Sequence, residues 1–444
     1  MPVKQQKKKA YIVTVDMGYG HQRAAYPLRD IAFGGIITAN TYGGIPAHDR
    51  HLWESGQLLY EKISRLKHIP GLGTLVFDIM DYIQRIEPFY PKRNLSKPLL
   101  QTKQIYRLIR KGWGKDLIET LNKKPLPFVS TFFTPAFFAE EHGYKGEIYT
   151  ICTDTDVSRA WAPLRPQKTR ITYLVPNRRV KERLERYGIP EDRIVITGFP
   201  LPKENIGNNG RILKESLGCR IGNLDPDGIF QKKFEHTLSH YLGTRFCKMA
   251  AHRPLTITFA VGGAGAQREL GRTILMSLRK DLEEGRVRIN LVAGSRNDVF
   301  AFFKETVRDL KLDKKKKGSV TIVYADTKQE YFAKFNEILL TTDILWTKPS
   351  ELAFYAGLGI PIIMAPTVGS QEEYNKAWVQ SIGAGCMQED PIYTNEWLFD
   401  WLKSGWFAQA ALNGFVNASH QGTYSIEDVV LRGKRNQIND IHLL

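Results

Sequence analysis

The sequence predicts an α/β fold with two parallel-sheet domains, and three observations lead to this prediction. The chain has 444 residues, more than one ordinary hydrophobic core accommodates. Short apolar runs alternate with helix-like spacers, the pattern of parallel sheets that helices cover on both faces. The runs form two series, separated by a polar stretch at 203–252. The first series lies at 11–15, 127–132, 147–153, 171–175 and 193–197, and the second at 255–261, 288–293, 319–324, 343–346 and 360–364.

These two series divide the chain into four segments. We predict a first Rossmann-like domain over 1–202 and a linker with a helical insertion over 203–252. A second Rossmann-like domain follows over 253–390, and helices complete the chain over 391–444. In open α/β sheets, ligands bind beyond the carboxyl ends of the strands, so functional residues are expected just after the strands.

The charge of the chain favours an anionic partner. The sequence holds 63 Lys and Arg against 46 Asp and Glu, a net charge of +17, which suits nucleic acid, anionic lipid or a phosphate-bearing substrate. Between 85 and 115 the only acid is Glu87, and aromatic residues are interleaved. This stretch is either a surface that docks on anionic lipid or a set of solvated helix faces. Its basic residues are Arg85, Lys92, Arg93, Lys97, Lys103, Arg107, Arg110, Lys111 and Lys115.

Composition also sets the expected location and excludes some classes. No apolar run reaches 18 residues, so no membrane-spanning helix is expected, and the first apolar run ends at Asp16, too early for a signal peptide. The four cysteines are scattered without CxxC spacing. We expect reduced thiols, no zinc site and a cytoplasmic protein.

Residues 11–25, YIVTVDMGYGHQRAA, predict a strand, a glycine loop and a helix start. Gly18 and Gly20 flank the turn, and His21 opens the helix. From these residues alone, His21 is either a chemical group at a strand end or part of an ordinary βα turn.

A second strand end carries acids. In TDTDVSRAWAPL, 153–164, the strand stops at Asp154, and Trp161 lies beyond it. Asp154 is a candidate general base, since a carboxylate at such an edge can accept a proton from substrate. The alternative is a loop acid and an exposed tryptophan.

The second series holds candidate phosphate contacts. In AVGGAGAQREL, 260–270, small residues at Gly262, Gly263 and Ala264 let the backbone approach a ligand, and a helix start follows. The loop lacks the GK[ST] of a Walker motif, and a plain tight turn is the alternative. In VAGSRND, 292–298, Arg296 either neutralises a phosphate or is a surface arginine.

Residues 345–385 contain two further strand–loop–helix units. We expect Ser350 to cap a short helix that carries Glu351, and a later helix to carry Gln371, Glu372 and Asn375. A carboxylate here can hold ribose or sugar hydroxyls. The alternative is acids that complement helix dipoles.

Taken in order, these motifs resemble one family. They resemble the motifs of the monogalactosyldiacylglycerol synthase and processive diacylglycerol glucosyltransferase family. The segments that carry the resemblance are DMGYGHQRAA, TDTDVSRAWAPL, the stretch up to GFPLP, GGAGAQRE, AGSRN, TKPSE and GSQEEYN…GAG. The N-acetylglucosaminyltransferase that forms lipid II is a more distant relative. The resemblance covers roughly 11–30, 145–202 and 255–386.

The resemblance implies a GT-B fold, with two Rossmann-like domains facing each other across a cleft. The second domain would bind a nucleotide sugar, usually UDP-linked, and the first a membrane-associated lipid acceptor. The final helix would pack back toward the first domain. Transfer would be inverting and metal-independent, with no cofactor besides the donor substrate. Asp154-Thr155-Asp156 spells a DxD metal motif but lies where the family has its TD motif.

The resemblance also implies residue roles. His21 matches the glycine-loop histidine, and Asp154 the TD aspartate. Gly263 and Ala264 would contact the diphosphate with Arg296 nearby, while Tyr324, Ala325 and Asp326 would border the base. Gln371, Glu372 and Asn375 match residues near the donor sugar, and Gly18, Gly20 and Trp161 would lie on the acceptor side.

The sequence departs from the family at two places. The first glycine loop reads MGYGH rather than GGGH, with Met17 at or near the first glycine. The family's ribose-binding glutamate falls on Phe354, and Glu351 lies one turn earlier. Glu351 serves instead, or the ribose is held differently.

We therefore expect a glycosyltransferase that moves a sugar from a UDP-sugar to a lipid acceptor and docks peripherally on an anionic membrane through 85–115. One alternative is a nucleotide-sugar-binding protein without transferase activity. Another is a different GT-B enzyme, such as a sugar-nucleotide epimerase or a transferase acting on nucleic acid; nucleic acid is the less favoured partner. The donor sugar, the acceptor and processivity stay open.

Overall fold

The computed structural model describes residues 8–55, 86–245, 253–260, 262, 267–313, 318–367 and 370–435. Of the residues singled out above, Arg85, Gly263 and Ala264 lie outside this described part. Contacts divide the chain into two compact units. The first comprises 1–200, 369–374 and 421–444, and the second comprises 201–368 and 375–420.

The first unit is built on a six-stranded, all-parallel sheet in the order β2-β1-β3-β4-β5-β6. Helices follow most of these strands along the chain. The strands are β1 Ala10–Thr14, β2 Ala32–Thr38, β3 Phe128–Ser130, β4 Ile148–Ile151, β5 Ile171–Val175 and β6 Ile194–Ile196. The helices are α1 Gly20–Ala25, α2 Leu100–Arg110, α3 Lys115–Asn122, α4 Phe133–Glu141 and α5 Arg178–Arg186.

The first sheet is buried on both faces because its side chains alternate between two cores. Tyr11 and Val13 of β1 belong to a core that includes α4, whereas Ile12 belongs to a second core. Ile426 and Val429 of a C-terminal helix lie in that second core. Near-continuous apolar strands are what two covered faces require.

The second unit has a six-stranded parallel sheet in the order β12-β11-β10-β7-β8-β9. Numbered within the unit, this is the doubly wound order 3-2-1-4-5-6 of a Rossmann fold. The strands are β7 Leu255–Ala260, β8 Val287–Gly294, β9 Val320–Tyr324, β10 Ile344–Thr347, β11 Ile362–Met364 and β12 Gly385–Met387.

Helices precede, connect and follow the second series of strands. Four lie in the segment before β7, namely α6 Lys203–Ile206, α7 Arg211–Leu224, α8 Ile229–Lys233 and α9 Glu235–Leu242. The others are α10 Arg268–Ser277, α11 Arg279–Glu284, α12 Asn297–Asp309, α13 Lys328–Leu339, a 3₁₀ helix Glu351–Leu358, α14 Ser370–Ser381, α15 Thr394–Lys403, α16 Trp406–Asn417 and α17 Gly422–Arg432.

A buried arginine on α7 ties the second unit together. Burial lowers the pKa of Arg220 to about 10, so the guanidinium stays charged at neutral pH. It donates hydrogen bonds to four backbone carbonyls at helix ends and turns. These are the carbonyl oxygens of Leu339 (3.2 Å), Thr342 (2.7 Å), Leu358 (3.0 Å) and Gly359 (3.1 Å).

All ten predicted strands are confirmed, each within a few residues of the predicted bounds. The structure adds β2 and β12, which the sequence reading missed. Gly34 and Gly35 adopt positive φ angles of 72° and 93° inside β2, where the register with β1 is irregular, and so obscure its β pattern. β12 has only three residues, beginning with Gly385.

Candidate functional site

Each sheet has a topological switch point. This is the place between two neighbouring strands from which the chain connections run toward opposite edges of the sheet. In the first sheet it lies between β1 and β3, and in the second between β7 and β10. Ligands of doubly wound sheets bind outside the carboxyl ends of the strands at this point. The loops after these four strands are therefore the candidate sites.

The loop after β1 is fixed by a residue that the sequence reading did not single out. The Asn40 side chain accepts a hydrogen bond from the backbone N–H of Asp16 (2.7 Å) and donates one to the Asp16 carbonyl (3.2 Å). Gly18 has φ +92°, which turns the chain toward α1. Met17, the departure from the family pattern, packs half-buried against the core.

His21 lies at the switch point of the first sheet. Its Nδ1 is 2.8 Å from the carbonyl oxygen of Thr131, just after β3. A carbonyl only accepts hydrogen bonds, so Nδ1 carries the proton, and the neutral ring has its lone pair on Nε2. The ring lies beside Phe132 and Trp161, at centroid distances of 4.7 and 6.4 Å.

Trp161 is a buried residue that packs beside the His21 ring. It is only 4% exposed and belongs to the core of the first unit, with its ring 5.5 Å from that of Phe133. Its carbonyl accepts a hydrogen bond from the hydroxyl of Tyr173. The structure therefore gives Trp161 a packing role next to His21 rather than a solvent-facing one.

The end of β4 lies next to His21. The Thr153 hydroxyl oxygen is 3.4 Å from His21 Nδ1, and Asp154 is the next residue, half-buried. The two candidate bases of the first unit are thus brought to the same edge of the sheet.

Asp156, two residues further on, has a different environment. It is buried and receives hydrogen bonds from Arg183 (2.9 and 2.8 Å) and Arg179 (2.9 Å), both on α5. Burial lowers the pKa of Arg183, but the contact with Asp156 outweighs it and raises that pKa overall. Asn177 caps α5 and donates to the carbonyl of Thr155. These contacts hold the segment after β4 in place.

At the switch point of the second sheet, a lysine side chain lies against Gly262. A Cβ on Gly262 would lie 2.5 Å from Cε of Lys348, the residue after β10. The TKPSE motif alone does not indicate that its lysine is the residue that contacts Gly262. One sequence signal was available for this lysine: it comes directly after β10. β10 pairs with β7, and β7 leads into the glycine loop.

Side chains connect the neighbouring loops of the second unit. Gln267, at the start of α10, donates to the carbonyl of Pro366 beyond β11 (3.1 Å). Asn375 of α14 is 1% exposed and donates to the carbonyl of Pro349 (3.3 Å), next to Lys348. The start of α10 is therefore tied to the segment after β11, and α14 is tied to the segment after β10.

The predicted cap of the 3₁₀ helix is confirmed, because the Ser350 hydroxyl accepts from the N–H of Leu352. Glu351 lies half-buried in the first turn. Phe354, at the place of the family's ribose glutamate, is 4% exposed and packs on Trp378 at 5.2 Å. Position 354 therefore lies in the hydrophobic core of the second unit.

Gln371 and Glu372 lie half-buried in the first turn of α14. This turn belongs to the first compact unit, whereas Asn375 belongs to the second. The three residues that the resemblance groups together are thus divided between the units.

Arg296 lies just after β8, and Tyr324 is the last residue of the adjacent strand β9. Arg296 forms a two-point contact with Asp298 (3.1 and 3.0 Å), which holds the pKa of that carboxyl below its usual range. The Tyr324 ring stacks on Phe300, with centroids 4.7 Å apart and planes at 23°. The N–H of Ala325 donates to the carbonyl of Gly294 and ties the two strand ends together (3.1 Å).

Across the described ranges, no group of three or more His, Cys, Asp or Glu is placed to hold a metal ion. Among those same residues, no helix combines the length and apolar character needed to cross a membrane. Cys152, Cys219 and Cys386 are free thiols, and burial raises the pKa of each.

The strand orders define a protein of two Rossmann-like units, the architecture that the resemblance to GT-B enzymes predicted. A family model described as a domain of unknown function (DUF6938) matches residues 303–426. No curated protein sequence matches the chain significantly.

Solved structures show a distant likeness. UDP-GlcNAc 2-epimerase from Neisseria meningitidis, bound to UDP-GlcNAc, is 13% identical with a TM-score of 0.47, over 96% of this chain and 100% of that one. MurG from Acinetobacter baumannii is 12% identical with a TM-score of 0.46, over 96% and 99%. S. aureus MnaA with UDP is 10% identical with a TM-score of 0.48, over 98% and 100%. The fold assignment above rests on strand order.

Proposed function

We propose that the chain is a glycosyltransferase that moves a sugar from a UDP-sugar to the hydroxyl of a membrane-associated lipid. The observation that carries this proposal is the position of Lys348 across Gly262 at the switch point of the second sheet. A cation, a glycine backbone and a following helix start together suit a diphosphate. The ordered set of family motifs supports the same class.

The donor side follows from the second unit. The Lys348 ammonium neutralises the diphosphate, and Arg296 adds a second cation when it exchanges Asp298 for phosphate. The stacked Tyr324 ring borders the base, and Glu351 accepts hydrogen bonds from ribose hydroxyls in place of the absent glutamate at Phe354.

The acceptor side follows from the first unit. His21 Nε2, or the Asp154 carboxylate, takes the proton of the acceptor hydroxyl while its oxygen attacks the anomeric carbon. The bond from that carbon to the diphosphate oxygen breaks, and UDP leaves. Inversion follows from this single displacement. Lys348 and backbone N–H groups stabilise the charge of the leaving group, so the proposed reaction needs no metal.

Calorimetric titration with UDP tests the donor site. We expect Lys348→Ala to weaken binding by about 10- to 100-fold, since charge-assisted hydrogen bonds contribute about 1.5–3 kcal/mol. Lys348→Arg should recover part of the loss, and Arg296→Ala should have the smaller effect because Arg296 is already paired. Lys304→Ala, an exposed lysine on α12, is the matched control. Wild-type affinity in Lys348→Ala would refute the diphosphate position, and no UDP binding by the wild type would refute the function.

The main alternatives differ in what they do to a donor. A sugar-nucleotide epimerase converts a UDP-sugar without an acceptor, which proton NMR of the anomeric signals detects. A binding protein without transferase activity leaves the donor intact under all conditions.

A further inference from the structure

An apolar patch lies on the surface of the second unit. It consists of Met276 on α10 and of Ile392 and Tyr393 in a short 3₁₀ helix, Pro391–Tyr393. Met276 is 56% exposed, Ile392 61% and Tyr393 55%, so each of them has more than half of its surface in water. Large apolar side chains that are grouped on a surface and surrounded by polar residues mark a contact with another protein.

Hydrogen bonds join the two elements that carry the apolar patch. The Ser277 hydroxyl, next to Met276, donates to the side-chain oxygen of Asn395 (3.0 Å) and accepts from the backbone N–H of Asn395 (3.1 Å). α10 packs directly against the 3₁₀ helix. The apolar patch is therefore one surface rather than a set of isolated side chains.

Exposed charges of opposite sign flank the apolar patch. On the α10 side, Arg272 lies one turn before Met276, and Lys280 lies four residues after it. On the 3₁₀ side, Glu389 precedes the short helix and Glu396 follows it. Within the described ranges, none of these four charges forms an ion pair, whereas the neighbouring Arg279 pairs with Glu283 at 3.2 Å. We call Arg272 and Lys280 the basic pair, and Glu389 and Glu396 the acidic pair.

This distribution of charge makes the surface complementary to a copy of itself. A twofold axis through the apolar patch brings the α10 side of one chain against the 3₁₀ side of the other. Each basic pair then faces an acidic pair, twice in one interface, while the apolar side chains meet at the centre. Methionine and tyrosine at the centre with charges at the rim are typical of protein–protein interfaces.

We propose that a second copy of this chain covers the apolar patch and that the protein is a twofold-symmetric homodimer. Met276, Ile392 and Tyr393 form the apolar centre of the interface, and the basic and acidic pairs form its rim. This inference goes beyond the proposed function, because the interface uses none of the residues assigned to donor or acceptor. It also requires no nucleotide, so it is tested on the protein alone.

Sedimentation equilibrium of the full chain tests the interface. We expect a monomer–dimer equilibrium between about 1 and about 100 μM, because the dimer population rises with protomer concentration. Salt at about 0.15 M screens the net charge of +17 beyond about 8 Å. Ile392→Asp should raise the dimer dissociation constant by about 100-fold, since it brings two like charges to the centre of the interface. A wild-type chain that stays monomeric throughout this range would refute the proposal.

Charge reversal tests whether the occupant is a second copy. Arg272→Glu with Lys280→Glu makes both sides of the patch acidic, and Glu389→Lys with Glu396→Lys makes both sides basic. Each double variant alone should be monomeric, because like charges then face each other twice. An equimolar mixture of the two should form a heterodimer, since every acidic side meets a basic one. Recovery in the mixture also shows that both variants are folded.

A charge-matched variant provides the control. Lys123→Glu with Lys145→Glu makes the same change of charge at exposed positions of the first unit and should leave the dissociation constant nearly unchanged. Equal weakening by this control would overturn the proposal, as would a mixture that stays monomeric. Dimers that persist in both charge-reversed variants would also overturn it, because the contact would then lie on another face.

Discussion

At the residue scale, one hydrogen bond fixes the orientation of His21, the histidine of the first glycine loop. The sequence left His21 as either a chemical group or a turn residue. The 2.8 Å contact from Nδ1 to the carbonyl of Thr131 sets the neutral tautomer and directs the basic lone pair to Nε2. A histidine held in this way is oriented to act as a base.

This tautomer gives a sharp mutational prediction. In His21→Asn, the side-chain amide can still donate to the carbonyl of Thr131, but no nitrogen can accept a proton. We expect UDP release with acceptor to fall by about 10²–10⁴-fold, with UDP affinity and thermal stability near wild type. If His21→Asn keeps full turnover, the base is elsewhere, and Asp154→Asn becomes the decisive variant.

Individual contacts are also where sequence reasoning was least informative. Lys348 was missed because no local pattern shows which side chain crosses a glycine that lies far away in sequence. The pairing of Arg296 with Asp298 depends on the turn into α12. In the sequence, Phe354 stands where the resembled family has a ribose-binding glutamate. In the structure, it is a core residue packed on Trp378.

At the element scale, the alternation of strands and helices was predictable because burial on both faces requires apolar β-branched runs. The same argument fails for β2, whose glycines supply no side chains to reveal a face. It fails again for β12, which is too short to show a period. The predicted cap at Ser350 held because it depends only on neighbouring residues.

The segment after β4 depends on one carboxylate, so removing that carboxylate should be costly. Asp156→Asn leaves Arg183, whose side chain is 0% exposed, without its charge partner. We expect a loss of about 3–5 kcal/mol in the free energy of unfolding, measured by urea denaturation. Asp192→Asn is the control within the same unit, because Asp192 is 74% exposed and meets Arg193 only at 3.9 Å.

The test is the difference between Asp156→Asn and Asp192→Asn in the loss of unfolding free energy. The exposed pair should contribute less than about 1 kcal/mol. Similar losses in both variants would mean that the cluster of Asp156, Arg179 and Arg183 does not anchor the segment, and the placement of Asp154 would then need another cause.

At the scale of the whole molecule, the proposed function assigns different ligands to different units. The proposed phosphate site is at the β7–β10 edge of the second unit, whereas the expected lipid-docking stretch, 85–115, includes α2 of the first unit. Because amide hydrogen exchange reports on each segment separately, one experiment on the full chain can resolve both.

We expect saturating UDP to slow exchange in peptides covering 255–270 and 345–352, while peptides from α2 keep their rates. At a UDP concentration of about 100 times Kd, bound-state stabilisation of about 2.7 kcal/mol permits up to about 100-fold slower exchange. Anionic vesicles without UDP should instead protect 97–111, and neutral vesicles should protect neither region. Protection by UDP confined to the first unit would contradict the donor assignment. Vesicle protection confined to the second unit would contradict docking through 85–115 and leave the donor assignment standing.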